Sequence, residues 1–118
     1  MSVEFFSIAT QDEPGSAPVV TVSGEVDIAA APQLRQRLME LVERPCKTII
    51  VDLAEVQFMD STGLNVFSAV RKRLKSLDGR LILAAPQPPV IRLFQLSGMD
   101  RLFTIVGDRE EAIALPST

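Results

Sequence analysis

Histidine, tryptophan and tyrosine are absent from this chain, and cysteine occurs once, as Cys46. Without imidazole, neither Ser-His-Asp nor Cys-His nucleophilic catalysis can be assembled, and Cys/His zinc sites fall with them. One thiol forms no internal disulfide, and an unpaired cysteine agrees with a reducing compartment. Long hydrophobic runs are missing too: the stretch 81–85 ends after a few residues, whereas a bilayer-spanning helix needs about 20. Positive charge is not in excess, since 12 Lys and Arg meet 15 Asp and Glu for a net charge of −3. No broad basic field for nonspecific nucleic-acid binding follows from that balance. The opening Met1-Ser2-Val3-Glu4 lacks the basic start and apolar stretch of a secretory signal. These absences predict a cytoplasmic protein with no metal, no cofactor, no membrane insertion and no direct nucleic-acid contact.

What remains is sufficient for a core. Hydrophobic residues make up 47% of the 118 positions, enough for one domain over residues 1–118 with a radius of gyration of roughly 13 Å. All the aromatics are Phe, so aliphatic side chains must do most of the packing.

Two β-rich runs come first, over 3–10 and 18–26, separated by the turn-forming Gln11-Asp12-Glu13-Pro14-Gly15-Ser16; this predicts an antiparallel hairpin. Leu34, Leu38, Leu41 and Val42 recur at helical spacing, with Pro32 in the first turn and Pro45 as the stop. Residues 47–53 contain the continuous run Thr48-Ile49-Ile50-Val51 expected of a strand covered on both faces. A second helix is predicted from Ser61 to near Gly79, with Leu64, Phe67, Val70, Leu74 and Leu77 on one face. A strand at 81–83, a helix opened by Pro88-Pro89 and closed by Gly98, and a strand at 103–106 follow. Asp108 and Glu111 form a capping-box-like start to a short last helix over 110–115. The order ββαβαβαβα predicts an α/β domain, a mixed sheet of about five strands carrying about four packed helices.

The most informative segment is Phe58-Met59-Asp60-Ser61-Thr62-Gly63-Leu64, between the central strand and the second helix. Helix capping alone accounts for one of Asp60 or Ser61. It leaves unexplained two hydroxyls crowded against a carboxylate, and a helix-weakening Gly63 in the first turn. A modification site accounts for more. A hydroxyl at a helix N-terminus is exposed, a phosphate there meets free N–H groups and the positive end of the helix dipole, and phosphorylation adds about −1.5 to −2 of charge. On this reading Gly63 leaves room for a partner's backbone or a nucleotide pocket.

Asp60-Ser61-Thr62-Gly63-Leu64, following Ile49-Ile50-Val51-Asp52-Leu53, resembles the signature of the STAS family (sulphate transporter and anti-sigma factor antagonist). Gly24-Glu25-Val26-Asp27 with Pro32-Gln33-Leu34-Arg35 resembles its second strand and first helix, and Gly98-Met99-Asp100-Arg101-Leu102-Phe103 its last helix-to-strand passage. The resemblance implies a STAS-like fold and a bacterial anti-sigma factor antagonist that works by partner switching. Its partners would be an anti-sigma factor that is also a serine kinase, and a serine phosphatase. Ser61 becomes the phosphoacceptor, Thr62 a secondary candidate, and Asp27, Asp60, Ser61, Thr62, Gly63 and Leu64 the partner-binding surface. Asp27 is then near the phosphosite; its plainer role is hydrogen bonding at a helix entrance, since Ala30 offers no capping side chain. A like charge at ~6 Å costs on the order of 3 kcal/mol at an effective dielectric near 20, enough to end binding without refolding.

Other features have competing readings. Asp52 ends a hydrophobic strand like the phosphoacceptor of a receiver domain, but Asp12-Glu13 lie in a hairpin loop and Lys47, Lys72 and Lys75 are far from the final strand, so that reading fails. Arg71-Lys72-Arg73-Lys75 is either a solvated helix face or a contact for an acidic partner. Phe58 and Met59 are either core or an exposed lip. Two rival functions stand beside the regulator: an accessory subunit of a lipid ABC transporter on the same fold, and a small enzyme using only carboxylates, a hydroxyl or lysine.

Overall fold

A computed structural model describes residues 6–13 and 15–115. The elements are β1 (Phe6–Gln11), β2 (Val19–Val26), α1 (Ala31–Val42), β3 (Thr48–Met59), α2 (Ser61–Ser76), β4 (Arg80–Ala84), α3 (Pro88–Leu96), β5 (Thr104–Val106) and α4 (Arg109–Ala114). Residues 3–5, expected in the first strand, lie outside the described residues. The sheet order is β1-β2-β3-β4-β5. β1 runs antiparallel to β2, and every other neighbouring pair is parallel. This is the mixed sheet expected from the element order.

Strand alternation sorts the apolar residues onto two faces. Val20, Val22, Ile49, Val51, Leu53, Leu81 and Leu83 join the main core with Leu34 and Leu38 of α1, Phe67 and Val70 of α2, and Phe94 of α3. Val19, Ile50, Ile82, Ala84 and Val106 form a smaller cluster with Ala112 of α4 on the opposite face. Both faces of β3 and β4 are therefore covered, which is why their sequences run apolar without alternation. Phe94 and Phe103 meet edge to face, with ring centroids 5.2 Å apart and an interplanar angle of 84°. No helix among the described residues is long and apolar enough to cross a membrane.

β3 differs from expectation. It was expected over 47–53 and instead continues to Met59. Its pairing with β4 stops at Asp52↔Ala84, so the added length is held by the β2 ladder, across irregularities between Thr21/Ser23 and Gly24/Glu25. Gly24 takes φ +94 there, a conformation that favours glycine. The extra length matters because it carries the start of α2 beyond β4. Gly98 adopts φ +76 after α3 as expected, and a short 3₁₀ turn at Met99–Arg101, not foreseen, then leads toward β5.

Candidate functional site

The parallel register of β2 and β3 brings two distant segments together. Glu25 pairs with Phe58 and Val26 with Met59, so Asp27 and Asp60 are the next residues on adjacent strands. The Asp60 N–H donates to the Val26 carbonyl at 3.2 Å, fixing the entry to α2 against the exit from β2. Asp27 Oδ1 accepts from the Ala29 and Ala30 amides at 3.1 Å each. Its carbonyl accepts from Ala30 and Ala31. Asp27 thus opens α1 in place of Ala30, which supplies no side-chain cap.

Asp60 is the N-cap of α2. Its Oδ1 accepts from the Thr62 amide at 2.9 Å and from the Thr62 hydroxyl. Its carbonyl accepts from the Gly63 and Leu64 amides at 3.1 and 3.3 Å. Of the first amides of α2, only that of Ser61 lacks a protein acceptor among the described residues. This corrects the expectation of free N–H groups awaiting a phosphate: the Asp60 carboxylate already occupies the helix mouth.

Ser61 is exposed, and its hydroxyl has no hydrogen-bond partner among the described residues. Thr62 is half-buried with its hydroxyl engaged. Gly63 is buried, and a Cβ there would sit 2.7 Å from Met59 Cγ and 2.9 Å from Val26 Cγ1. The missing side chain therefore serves packing within the chain, and the expected room for a partner's backbone is not there. Leu64, 4% exposed, belongs to the core as well. Both shape the site from beneath.

Sequence reasoning missed Ile28, which is 75% exposed immediately after Asp27. Phe58, left open between core and lip, is 47% exposed, while Met59 is core. In the basic cluster, Arg71 Nε donates to the Leu102 carbonyl at 2.7 Å and Arg73 lies 3.8 Å from Glu43. Lys72 and Lys75 are exposed. Asp52, 8% exposed, accepts from the Ala54 amide at 3.0 Å and faces Arg109 at 3.6 Å. It is a buried tie between β3 and α4.

The sequence that builds this junction and sheet matches the STAS domain family over residues 8–112. The chain belongs to the STAS domain family. The anti-sigma-B factor antagonist of Bacillus subtilis is 36% identical over 94 residues, covering 80% of this chain and 85% of its own. An anti-sigma factor antagonist from Mycobacterium paratuberculosis superposes with a TM-score of 0.82 at 30% identity, covering 92% of this STAS domain and 91% of its own chain. SpoIIAA, an anti-sigma factor antagonist, superposes in its unphosphorylated form with a TM-score of 0.79 at 29% identity, over 91% of this chain and 93% of its own. SpoIIAA of Bacillus has also been solved in the phosphorylated form, with a TM-score of 0.72 at 28% identity over 91% of this chain and 96% of its own.

Proposed function

We propose that this STAS domain is an anti-sigma factor antagonist that works by partner switching. The unphosphorylated chain binds an anti-sigma factor with serine kinase activity and so frees the sigma factor. Phosphorylation of Ser61 ends the binding, and a serine phosphatase restores it. The chain itself catalyses nothing in this scheme. The observation that carries the reading is the division of labour within the motif. Asp60 caps α2, Thr62 bonds to Asp60, and Gly63 and Leu64 pack inward, whereas Ser61 is exposed with its hydroxyl engaged by none of the described residues. Among the described residues it is the one side chain of the motif with neither a bonding partner nor a packing role.

Physical chemistry supports a switch without refolding. The phosphate adds about −1.5 to −2 of charge beside Asp60 and on the same strand ends as Asp27. A partner surface that desolvates the neutral Ser61 hydroxyl and sets an acidic group of its own near it is then faced with an anion. At an effective dielectric near 20, one such charge ~6 Å from a like charge costs on the order of 3 kcal/mol, about two decades of affinity. Names of relatives support the partner class: the B. subtilis and M. paratuberculosis proteins are anti-sigma factor antagonists.

The test uses the cognate anti-sigma kinase, titrated calorimetrically against three chains and assayed for phosphate transfer with site mapping by mass spectrometry. Wild type is phosphorylated at Ser61; Ser61→Ala binds and is not phosphorylated; Ser61→Asp binds about a hundredfold more weakly. Equal affinity of the two variants, phosphate on another residue, or co-purification with an ABC-type ATPase in place of the kinase overturns the reading.

A further inference from the structure

Exposed sheet edges invite strand pairing, and natural proteins blunt them with charge, proline, bulges or brevity. β5 is blunted by brevity, at three residues. β1 has none of these devices. Phe6-Ser7-Ile8-Ala9-Thr10-Gln11 carries no charge and no proline, and it pairs with β2 through consecutive positions from Phe6↔Gly24 to Gln11↔Val19 without a bulge. Among the described residues no strand lies on its outer side. Beside it runs a cleft of about 320 Å³, floored by Phe6 and Ile8 and walled by Gln33, Gln36, Arg37 and Glu40 of α1.

We propose that β1 pairs antiparallel with β1 of a second copy of this chain, about a two-fold axis at Ile8. The pleat sets the register, because residues directly across from one another share a face. Phe6, Ile8 and Thr10 are half-buried and alternate with exposed Ser7, Ala9 and Gln11. They must meet one another, so Ile8 lies opposite Ile8, Phe6 opposite Thr10 and Ser7 opposite Ala9. No like charges face each other along the seam. Phe6 and Ile8, which only partly pack against the core, gain cover from their counterparts. Arg37 donates to Thr10 Oγ1 at 3.0 Å, so its guanidinium comes over the Phe6 ring of the second copy, a cation–π arrangement. The α1 stripes run antiparallel along the two walls, each with one cation and one anion. A second copy fits better than an unrelated strand because each edge supplies both halves of these pairings. So short a seam buries less than the ~1,200 Å² of a durable complex, which makes the dimer weak and reversible. Ser61 lies beyond β2 and β3 and stays open in it.

Sedimentation equilibrium of the full chain, up to about 1 mM, reads the dimer, with far-UV circular dichroism confirming that each variant is folded. Ser7 and Ala9 are exposed, so charges there leave the core intact. Ser7→Lys with Ala9→Lys sets lysine against lysine twice, and the dissociation constant rises at least tenfold. Ser7→Lys with Ala9→Glu sets lysine against glutamate in this register, and dimerisation returns. A wild-type monomer at every concentration overturns the proposal. So does a dimer indifferent to the lysines, or one lost equally in both double variants.

Discussion

Gly63 is silent in the backbone, since it is not among the glycines with positive φ; its role is purely one of volume. A methyl group there meets Met59 Cγ and Val26 Cγ1 closer than real Cβ atoms approach, at 2.7 and 2.9 Å. Met59 is flexible and can yield, but Val26 closes the β2 ladder and is fully buried. Gly63→Ala gains up to about 1 kcal/mol of helix propensity and incurs about 1–3 kcal/mol of overpacking. The clash wins, and urea denaturation is expected to show a net loss on the order of 1 kcal/mol. A stabilised variant would mean that α2 has slack above β2 and β3. Ser61→Ala, at an exposed position whose hydroxyl bonds to none of the described residues, stays within about 0.5 kcal/mol of wild type.

At the scale of elements, the helices were legible where their signals are local, and less so where a neighbour decides. Asp60 before α2, Asp108 before α4 and Pro32 in α1 are boundary residues whose chemistry acts within one turn, and α2 begins at Ser61 as read. The end of β3 was missed although Ala54, Val56 and Phe58 alternate with Glu55 and Gln57 at strand period. What no single strand shows is the irregularity opposite Gly24/Glu25, which skips Gln57 and turns Met59 inward, and the β2 ladder that holds the segment extended. The candidate site divides similarly. The exposed Ser61 and the capping Asp60 follow from local rules, whereas Ile28 and the inward Gly63 depend on where β2 ends relative to β3. Asp52 is another tertiary fact: read from the chain it is a strand-ending acid, and in the fold it anchors α4 through Arg109 at 3.6 Å. Arg109→Ala leaves this carboxylate buried with one amide donor, an expected loss of about 1–3 kcal/mol. Asp52→Asn added to Arg109→Ala removes the stranded charge and is expected to recover part of it. A double-mutant cycle from chemical denaturation measures both; simple additivity would show that the two side chains do not couple.

Across the whole molecule, the packed cores and the exposed Ser61 are kept apart. The motif sits at the C-terminal ends of β2 and β3, where Val26, Met59 and Leu64 belong to the core and Ser61 meets solvent. Adding charge at Ser61 therefore leaves the packing untouched, and on the proposed reading it acts on docking through the field at the partner's surface. Such an effect depends on ionic strength in a way that a steric effect does not. The Debye length falls from about 30 Å at ~0.01 M salt to about 3 Å at ~1 M. The affinity ratio between Ser61→Ala and Ser61→Asp for the anti-sigma partner is expected to be largest in dilute buffer and to contract severalfold in concentrated salt. Desolvation within the interface keeps it from reaching unity, because buried pairs are screened less than exposed ones. Calorimetric titrations across that salt range, with both variants equally folded, read the ratio directly. A ratio constant from dilute to concentrated salt would mean that the aspartate is excluded by its shape, and the added charge would then lose its place as the cause of the switch.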